Sequence, residues 1–309
     1  MAIYQPLPPE TPQALAAQID ELRRVLLDDL FRDFDHARTR WLGKTLKSVA
    51  WPPASRFVRR IAKFDQVVAS AGFRSAVGQL LSTFVGGYRL EGSQNVPLTG
   101  PLLVVSNHPG AYDSLVITAC LPRDDLYLIA TGYPMLRRLP HTSRRMIFFD
   151  PRANSQLNLV REVVQHLRLG RAVLIFPRGQ VEPDPAVLPG AQETLQRWSP
   201  SLELFLRKVP DTQVLVTAVS GVLAPVFLHN PLIRIWRGRR EPLVVAETMQ
   251  VMTQLIFPRL IRVRPRITFG SPLSVQGLPA GARSVYQEVL EQAAQLLAGH
   301  QAVLPDNMR

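Results

Sequence analysis

From Gly86 onward, short apolar runs of strand length alternate with segments of helical spacing, and this alternation most limits the folds open to the chain. Residues 102–105, 126–130, 146–149, 172–176, 214–219 and 262–269 read as strands. Between or after them, residues 113–119, 157–169, 192–208 and 282–297 have helical periodicity, with Gly170 placed as a C-cap for the second. Strands separated by helices predict an α/β fold, a mainly parallel central sheet covered by helices. No internal repeat or low-complexity segment interrupts the pattern.

The first 85 residues differ. Leu15, Ile19, Leu22, Leu26 and Leu30 recur at steps of three and four, the mark of an amphipathic helix. Residues 36–64 then hold no acidic residue but carry Arg38, Arg40, Lys44, Lys47, Arg56, Arg59, Arg60 and Lys63, with Trp41, Trp51, Phe57 and Phe64 among them. Such a segment suits a membrane interface, rings at headgroup level and cations on acidic lipid. It equally suits a solvated basic face whose aromatics pack on the main domain. The change of pattern at Gly86-Gly87 divides the chain into an N-terminal helical region, 1–85, and a second domain, 86–309.

The charge balance, 36 Lys and Arg against 24 Asp and Glu, gives +12 and a pI near 10.7, so anionic partners are favoured. Without zinc-finger spacing or a ribonucleoprotein aromatic motif, no nucleic-acid partner is expected. Cys120 stands alone, which rules out an internal disulfide or a multi-cysteine zinc site and fits a reducing, cytosol-facing location. Residues 1–13 show no secretory signal pattern. The longest stretch free of charged residues, 212–233, contains Ser220, Gly221, Pro225, His229, Asn230 and Pro231, and reads as strand and loop rather than a span. A soluble or peripheral protein is expected, held at the inner face of a membrane rather than crossing it.

The segment after the 102–105 strand is Ser106-Asn107-His108-Pro109-Gly110-Ala111-Tyr112-Asp113. On an unbroken helix, residues five apart stand about 140° apart. Pro109 and Gly110 break regular structure, so a loop can return Asp113 to the imidazole of His108. An Asp accepting from one ring nitrogen fixes the tautomer and leaves the other nitrogen free as a base. Such spacings arise often by chance. Its place at the carboxyl end of a strand, where open α/β sheets bind ligands, strengthens the reading.

Together with the segments downstream, these residues resemble the glycerolipid acyltransferases, which include the lysophosphatidic acid acyltransferases. Asn107-His108 and Asp113 match the family's first block, and Ile147-Phe148-Phe149-Asp150, followed by Pro151-Arg152, is similar to its second with one residue interposed. Phe176-Pro177-Arg178-Gly179-Gln180 is similar to its third block, Phe-Pro-Glu-Gly-Thr. Leu188-Pro189-Gly190-Ala191 and residues 214–221 loosely echo later segments. The resemblance runs from about Tyr88 to Phe269 in order.

It implies transfer of a fatty acyl group from a coenzyme A or acyl carrier protein thioester to the hydroxyl of a lysophospholipid or related lipid, with no cofactor beyond the donor. His108 would be the general base and Asp113 its orienting partner. Asn107, Gly110, Arg152, Phe176, Pro177, Arg178, Gly179, Gln180 and Glu182 would contact substrate. Arg152 and Arg178 would meet an anionic headgroup, and Gly179 would allow close backbone approach. Arg178 stands where the family has Glu, and Gln180 where it has Thr. Either the acceptor differs, or Glu182 takes over the acidic role.

Other readings remain. His36, His141, His166, His229 and His300 lack paired metal-ligand spacing, and no metal is expected. Ser106 and Ser114 flank the dyad as in a hydrolase but lack a Gly-x-Ser-x-Gly elbow. A catalytically inactive lipid-binding or scaffold protein of the same fold is a further alternative. Arg137-Arg138 and Arg144-Arg145 are solvated pairs, or grip the phosphates of coenzyme A.

Overall fold

The computed structural model describes residues 12–30, 40–131, 134–150, 156–228, 242–257, 260–274, 276 and 284–302. In chain order the helices α1 (Pro12–Leu30), α2 (Arg40–Ala71) and α3 (Phe73–Leu81) precede strands β1 (Arg89–Glu91) and β2 (Leu102–Ser106). There follow α4 (Asp113–Cys120), β3 (Leu126–Thr131), β4 (Met146–Phe149), α5 (Gln156–Arg168) and β5 (Ala172–Ile175). The chain continues through α6 (Ala191–Thr194), α7 (Ser201–Lys208), β6 (Gln213–Ser220), α8 (Pro225–Leu228) and α9 (Pro242–Ile256). Strands β7 (Arg266–Phe269) and β8 (Leu273–Ser274) and helix α10 (Val285–Ala302) close it.

The strands form one eight-stranded sheet in the order β1-β7-β6-β2-β5-β3-β4, with β8 paired to β6. Strands β6, β2, β5, β3 and β4 run parallel, and β7 and β8 run antiparallel to β6. Mainly parallel sheets are buried on both faces, and the near-continuous apolar run of β2 reflects this. Leu102 and Val104 point to one core with Val116 and Ile117 of α4 and Val77 and Leu81 of α3. Leu103 and Val105, one residue out of phase, point to the other, with Val163 and Leu167 of α5, Phe205 of α7 and Val289 of α10. The expected α/β architecture is therefore a helix–sheet–helix sandwich.

Helices α2 and α3 share the first of these cores. Phe64, Val68 and Phe73 are buried there, and Phe57 packs against it. Each large apolar side chain so buried contributes about 1.5–3 kcal/mol. The aromatics of the basic segment thus divide: Phe57 and Phe64 face inward, while Trp51 is exposed beneath the Arg23 guanidinium, 3.8 Å from its ring centroid. Arg56, Arg59 and Lys63 form an exposed stripe at steps of three and four. The buried Asp65 of α2 accepts from the Thr142 N–H at 2.7 Å and the Thr142 hydroxyl at 2.6 Å, fixing the helix to the loop before β4. Among the described residues, no helix is long and apolar enough to cross a membrane.

Several boundaries differ from expectation. The 192–208 segment is two helices, because Ser199-Pro200 breaks it where the Ser199 N–H turns away to Pro177 O at 3.0 Å. The last long strand begins at Arg266, since Pro265 has no N–H for the ladder and Val263 makes only an isolated bridge to Val85. The closing helix starts at Val285 and runs to Ala302, beyond its expected end at 297. Of 212–233, residues 213–220 are strand, 221–224 a loop and 225–228 a short helix, and 229–233 lie outside the described residues. His36, His229, Pro151 and Arg152 also lie outside them.

Candidate active site

Strand β2 ends at Ser106, in mid-sheet between β5 and β6, and delivers the next residues to the carboxyl edge of the sheet. Asn107 continues the ladder with its side chain. Its Nδ2 donates to Val219 O at 2.8 Å and its Oδ1 accepts the Val219 N–H at 2.8 Å. It is 4% exposed and both polar groups of its side chain are spent on Val219, so Asn107 sets the direction of the loop.

His108 and Asp113 meet as expected. His108 Nδ1 lies 2.7 Å from Asp113 Oδ2, and Nε2 has no protein partner among the described residues. Asp113 is fully buried in the first turn of α4, where the helix dipole favours an anion. Its Oδ2 also accepts the Gly110 N–H at 3.1 Å, and its Oδ1 the Ser114 N–H at 2.5 Å. Gly110 makes this return possible with φ +154°, in a region other residues rarely adopt. The His108 side chain is 27% exposed and stacks on Phe176, ring centroids 4.3 Å apart.

Electrostatics favour the imidazolium. Burial alone would lower the His108 pKa, but Asp113, then Glu247 and Glu182, raise it above its ordinary value. A base so tuned accepts a proton readily while its neutral form keeps Nε2 free.

The third block sits on the neighbouring strand, after β5. Glu182, which sequence placed as a substrate contact, is buried and fully engaged within the protein. Its N–H donates to His108 O at 2.7 Å, its Oε2 accepts the His108 N–H at 2.8 Å, and its Oε1 accepts from Trp198 Nε1 at 3.0 Å. It clamps the backbone of the base from both sides. Arg178 is half-buried and folds its guanidinium onto Val181 O. Pro177 is buried, whereas Gly179 and Gln180 are exposed beside the site. The φ of +68° at Gly179 requires glycine there.

Second-block residues lie farther off. Strand β4 is three strands from β2, about 14 Å at the usual spacing, with Asp150 at the same edge as His108. Arg144-Arg145 precede β4 at the opposite edge, so a grip on substrate near the dyad does not follow for them. Arg138 is tied to Glu21 at 2.6 Å and Arg137 lies over Phe148.

Three features escaped sequence reasoning. Asp184, fully buried between two prolines, accepts the N–H groups of Gly221, Val222, Leu223 and Ala186 at 2.8–3.1 Å and shapes the loop after β6. The Tyr112 hydroxyl donates to Gln254 Oε1 at 2.5 Å, joining α9 to the dyad loop. Glu247, on α9, acts on the dyad by charge. The signals available were an acid in Pro-Asp-Pro and a single acid in an otherwise uncharged helix.

Ser106 is fully buried, its hydroxyl on Asn107 O at 3.0 Å, which removes it as a hydrolase nucleophile. Burial pushes the Cys120 thiol up to about 12, so it is no nucleophile at neutral pH. Among the described residues, no group of three or more His, Cys, Asp or Glu is placed to hold a metal ion.

No curated protein sequence matches the chain. Among solved structures it is similar to the crystal structure of the 1-acyl-sn-glycerophosphate (LPA) acyltransferase PlsC from Thermotoga maritima. The TM-score is 0.48 at 16% identity, covering 93% of this chain and 99% of that chain. Residues 87–197 match the family model named Acyltransferase. That stretch holds β2, the His108–Asp113 pair, β5 and the Glu182 clamp, so the match falls on the part of the chain that builds the site.

Proposed function

We propose that this protein is a membrane-associated O-acyltransferase that moves a fatty acyl group from an acyl-coenzyme A or acyl carrier protein thioester to the hydroxyl of a lysophospholipid or related lipid. The observation that carries this reading is the 2.7 Å contact between His108 Nδ1 and the buried Asp113, which leaves Nε2 open at the carboxyl edge of the sheet. The acceptor hydroxyl gives its proton to Nε2 as its oxygen attacks the thioester carbonyl. Asp113 stabilises the imidazolium that forms. The tetrahedral intermediate then breaks its C–S bond, and the thiolate takes the proton back from Nε2. No acyl-enzyme is needed.

Lipid acceptors reach such a site from a bilayer. The exposed Arg56, Arg59 and Lys63 of α2 are suited to rest on acidic headgroups at the inner face of a membrane. Each cation near such a surface is worth about 1 kcal/mol.

The test is incubation with labelled acyl-coenzyme A, or acyl carrier protein thioester, and a panel of lysolipids, with His108→Ala as control. A labelled lipid formed by wild type and lost in the variant is the expected result. Equal product from both would overturn the mechanism.

A further inference from the structure

Helix α9 carries a single charged residue, Glu247, in fifteen positions that otherwise hold apolar and neutral polar side chains. A carboxylate taken from water without a partner is costly, so its presence calls for an account. Glu247, Gln250 and Gln254 follow one another at steps of three and four and share one helix face. Two of the three are fastened to the surroundings of the dyad. Gln254 accepts from the hydroxyl of Tyr112, the residue before Asp113, and donates to Phe84 O and Ile261 O at 2.9 Å. Gln250 donates to Val222 O and accepts from the Ala224 N–H, both at 2.7 Å. Val222 is the side chain that Gly110 approaches, 3.6 Å from where a Cβ would stand.

Glu247 continues this face by one turn. It is half-buried and has no hydrogen bond or ion pair with the protein among the described residues. Its charge nevertheless acts on His108, Asp113 and Tyr112. Burial pushes its own carboxyl up to about 7, with His108 pulling it down and Asp113 pushing it up.

We propose that Glu247 is a positioning residue of the acyl transfer, a second carboxylate that acts through His108 by stabilising the imidazolium from α9. The role rests on His108 being the general base. Three acids act on that ring by charge: Asp113 from α4, which also touches it, Glu247 from α9, and Glu182 from the loop after β5. Asp113 and Glu182 are also committed to backbone N–H groups, whereas Glu247 is left to act by charge alone. In a site of low dielectric, a carboxylate near a developing cation lowers the barrier, and the imidazolium in turn draws Glu247 toward its ionised form.

The experiment is a pH titration of the histidine imidazoles by NMR in full-length protein labelled at histidine, the His108 signal being identified by its loss in His108→Ala. Wild type, Glu247→Gln and Glu247→Asp are compared, with thermal melts recorded alongside. Removing the charge should lower the His108 midpoint by about half to one pH unit, and Asp should restore most of it. The acid limb of the acyl-transfer rate should move in the same direction. Coincident His108 midpoints in wild type and the Gln variant would overturn the role, as would equal shifts in the Gln and Asp variants, which would mark packing rather than charge. Transfer that survives His108→Ala would instead overturn the general-base reading, so the two failures are distinguishable.

Discussion

Asp113→Asn is the most demanding test of the dyad, because all three groups around this carboxylate are donors. Oδ2 receives His108 Nδ1–H at 2.7 Å and Gly110 N–H at 3.1 Å, and Oδ1 receives Ser114 N–H at 2.5 Å. An amide has one acceptor oxygen and one donor nitrogen, so no orientation satisfies all three. With its oxygen toward His108, the NH2 group faces the Ser114 N–H and leaves that donor orphaned. With its nitrogen toward His108, the ring must accept at Nδ1 and carry its proton on Nε2, where it can no longer act as a base, and Gly110 loses its acceptor. In both orientations the charge that stabilised the imidazolium is gone.

The orphaned buried N–H costs about 1–3 kcal/mol of folding stability. Loss of a competent base costs about 10²- to 10⁴-fold in kcat, or about 3–5 kcal/mol in barrier. The assay is single-turnover transfer of a radiolabelled acyl group across pH 5.5–9, paired with urea denaturation to separate chemistry from folding. A variant within about threefold of wild type at neutral pH, with an unshifted acid limb, would refute the assignment of Asp113 as the group that orients the base.

Asp184→Ala should leave four buried N–H donors without their acceptor and lower stability by about 3–5 kcal/mol in urea denaturation, a loss below about 1 kcal/mol refuting the bracing role. His300 is buried between Ser220 and Thr268, and burial followed by the Arg266 charge lowers its pKa to about 4. The unfolded chain then binds the extra proton between about pH 6.5 and 4, so this residue should cost up to about 3 kcal/mol of stability as pH falls through that window. Denaturation midpoints should flatten there in His300→Gln, and parallel pH curves would refute the account. Replacing Arg56, Arg59 and Lys63 together by Ser should weaken cosedimentation with anionic vesicles at low salt, and undiminished binding would remove this stripe as the membrane contact.

The central strands were legible because they are short apolar runs buried on both faces, so that pattern and environment coincide, as in β2 and β6, whereas β1, Arg-Leu-Glu and exposed throughout, carries no such run. The 192–208 helix was misread because its apolar spacing continues across a break that begins at Trp198, extended with ψ 141°, and runs through Ser199-Pro200, where the Ser199 N–H bonds to Pro177 O. The dyad was legible because Pro109-Gly110 supplies a local turn between two nearby residues. Asp184 and Glu247 were not singled out, and Glu182 was given a substrate contact rather than its clamp, because their partners are far along the chain: the 221–223 amides, a ring 139 positions away, and backbone groups of His108. Contacts of that kind follow from tertiary packing, which no periodicity encodes.

The exchange of Glu for Arg in the third block gains a physical reading from the same geometry. Burial pushes the Glu182 carboxyl up, while Trp198, Thr194, the His108 N–H and lastly the Arg178 charge pull it down. A buried acid holding the backbone of His108 needs that help to stay ionised, since desolvation works against it. Arg178, folded onto Val181 O, places its cation close enough to act on Glu182 without entering the stack of His108 on Phe176. The block therefore retains an acid, moved from the turn to the clamp, and its cation is partly used in keeping that acid charged.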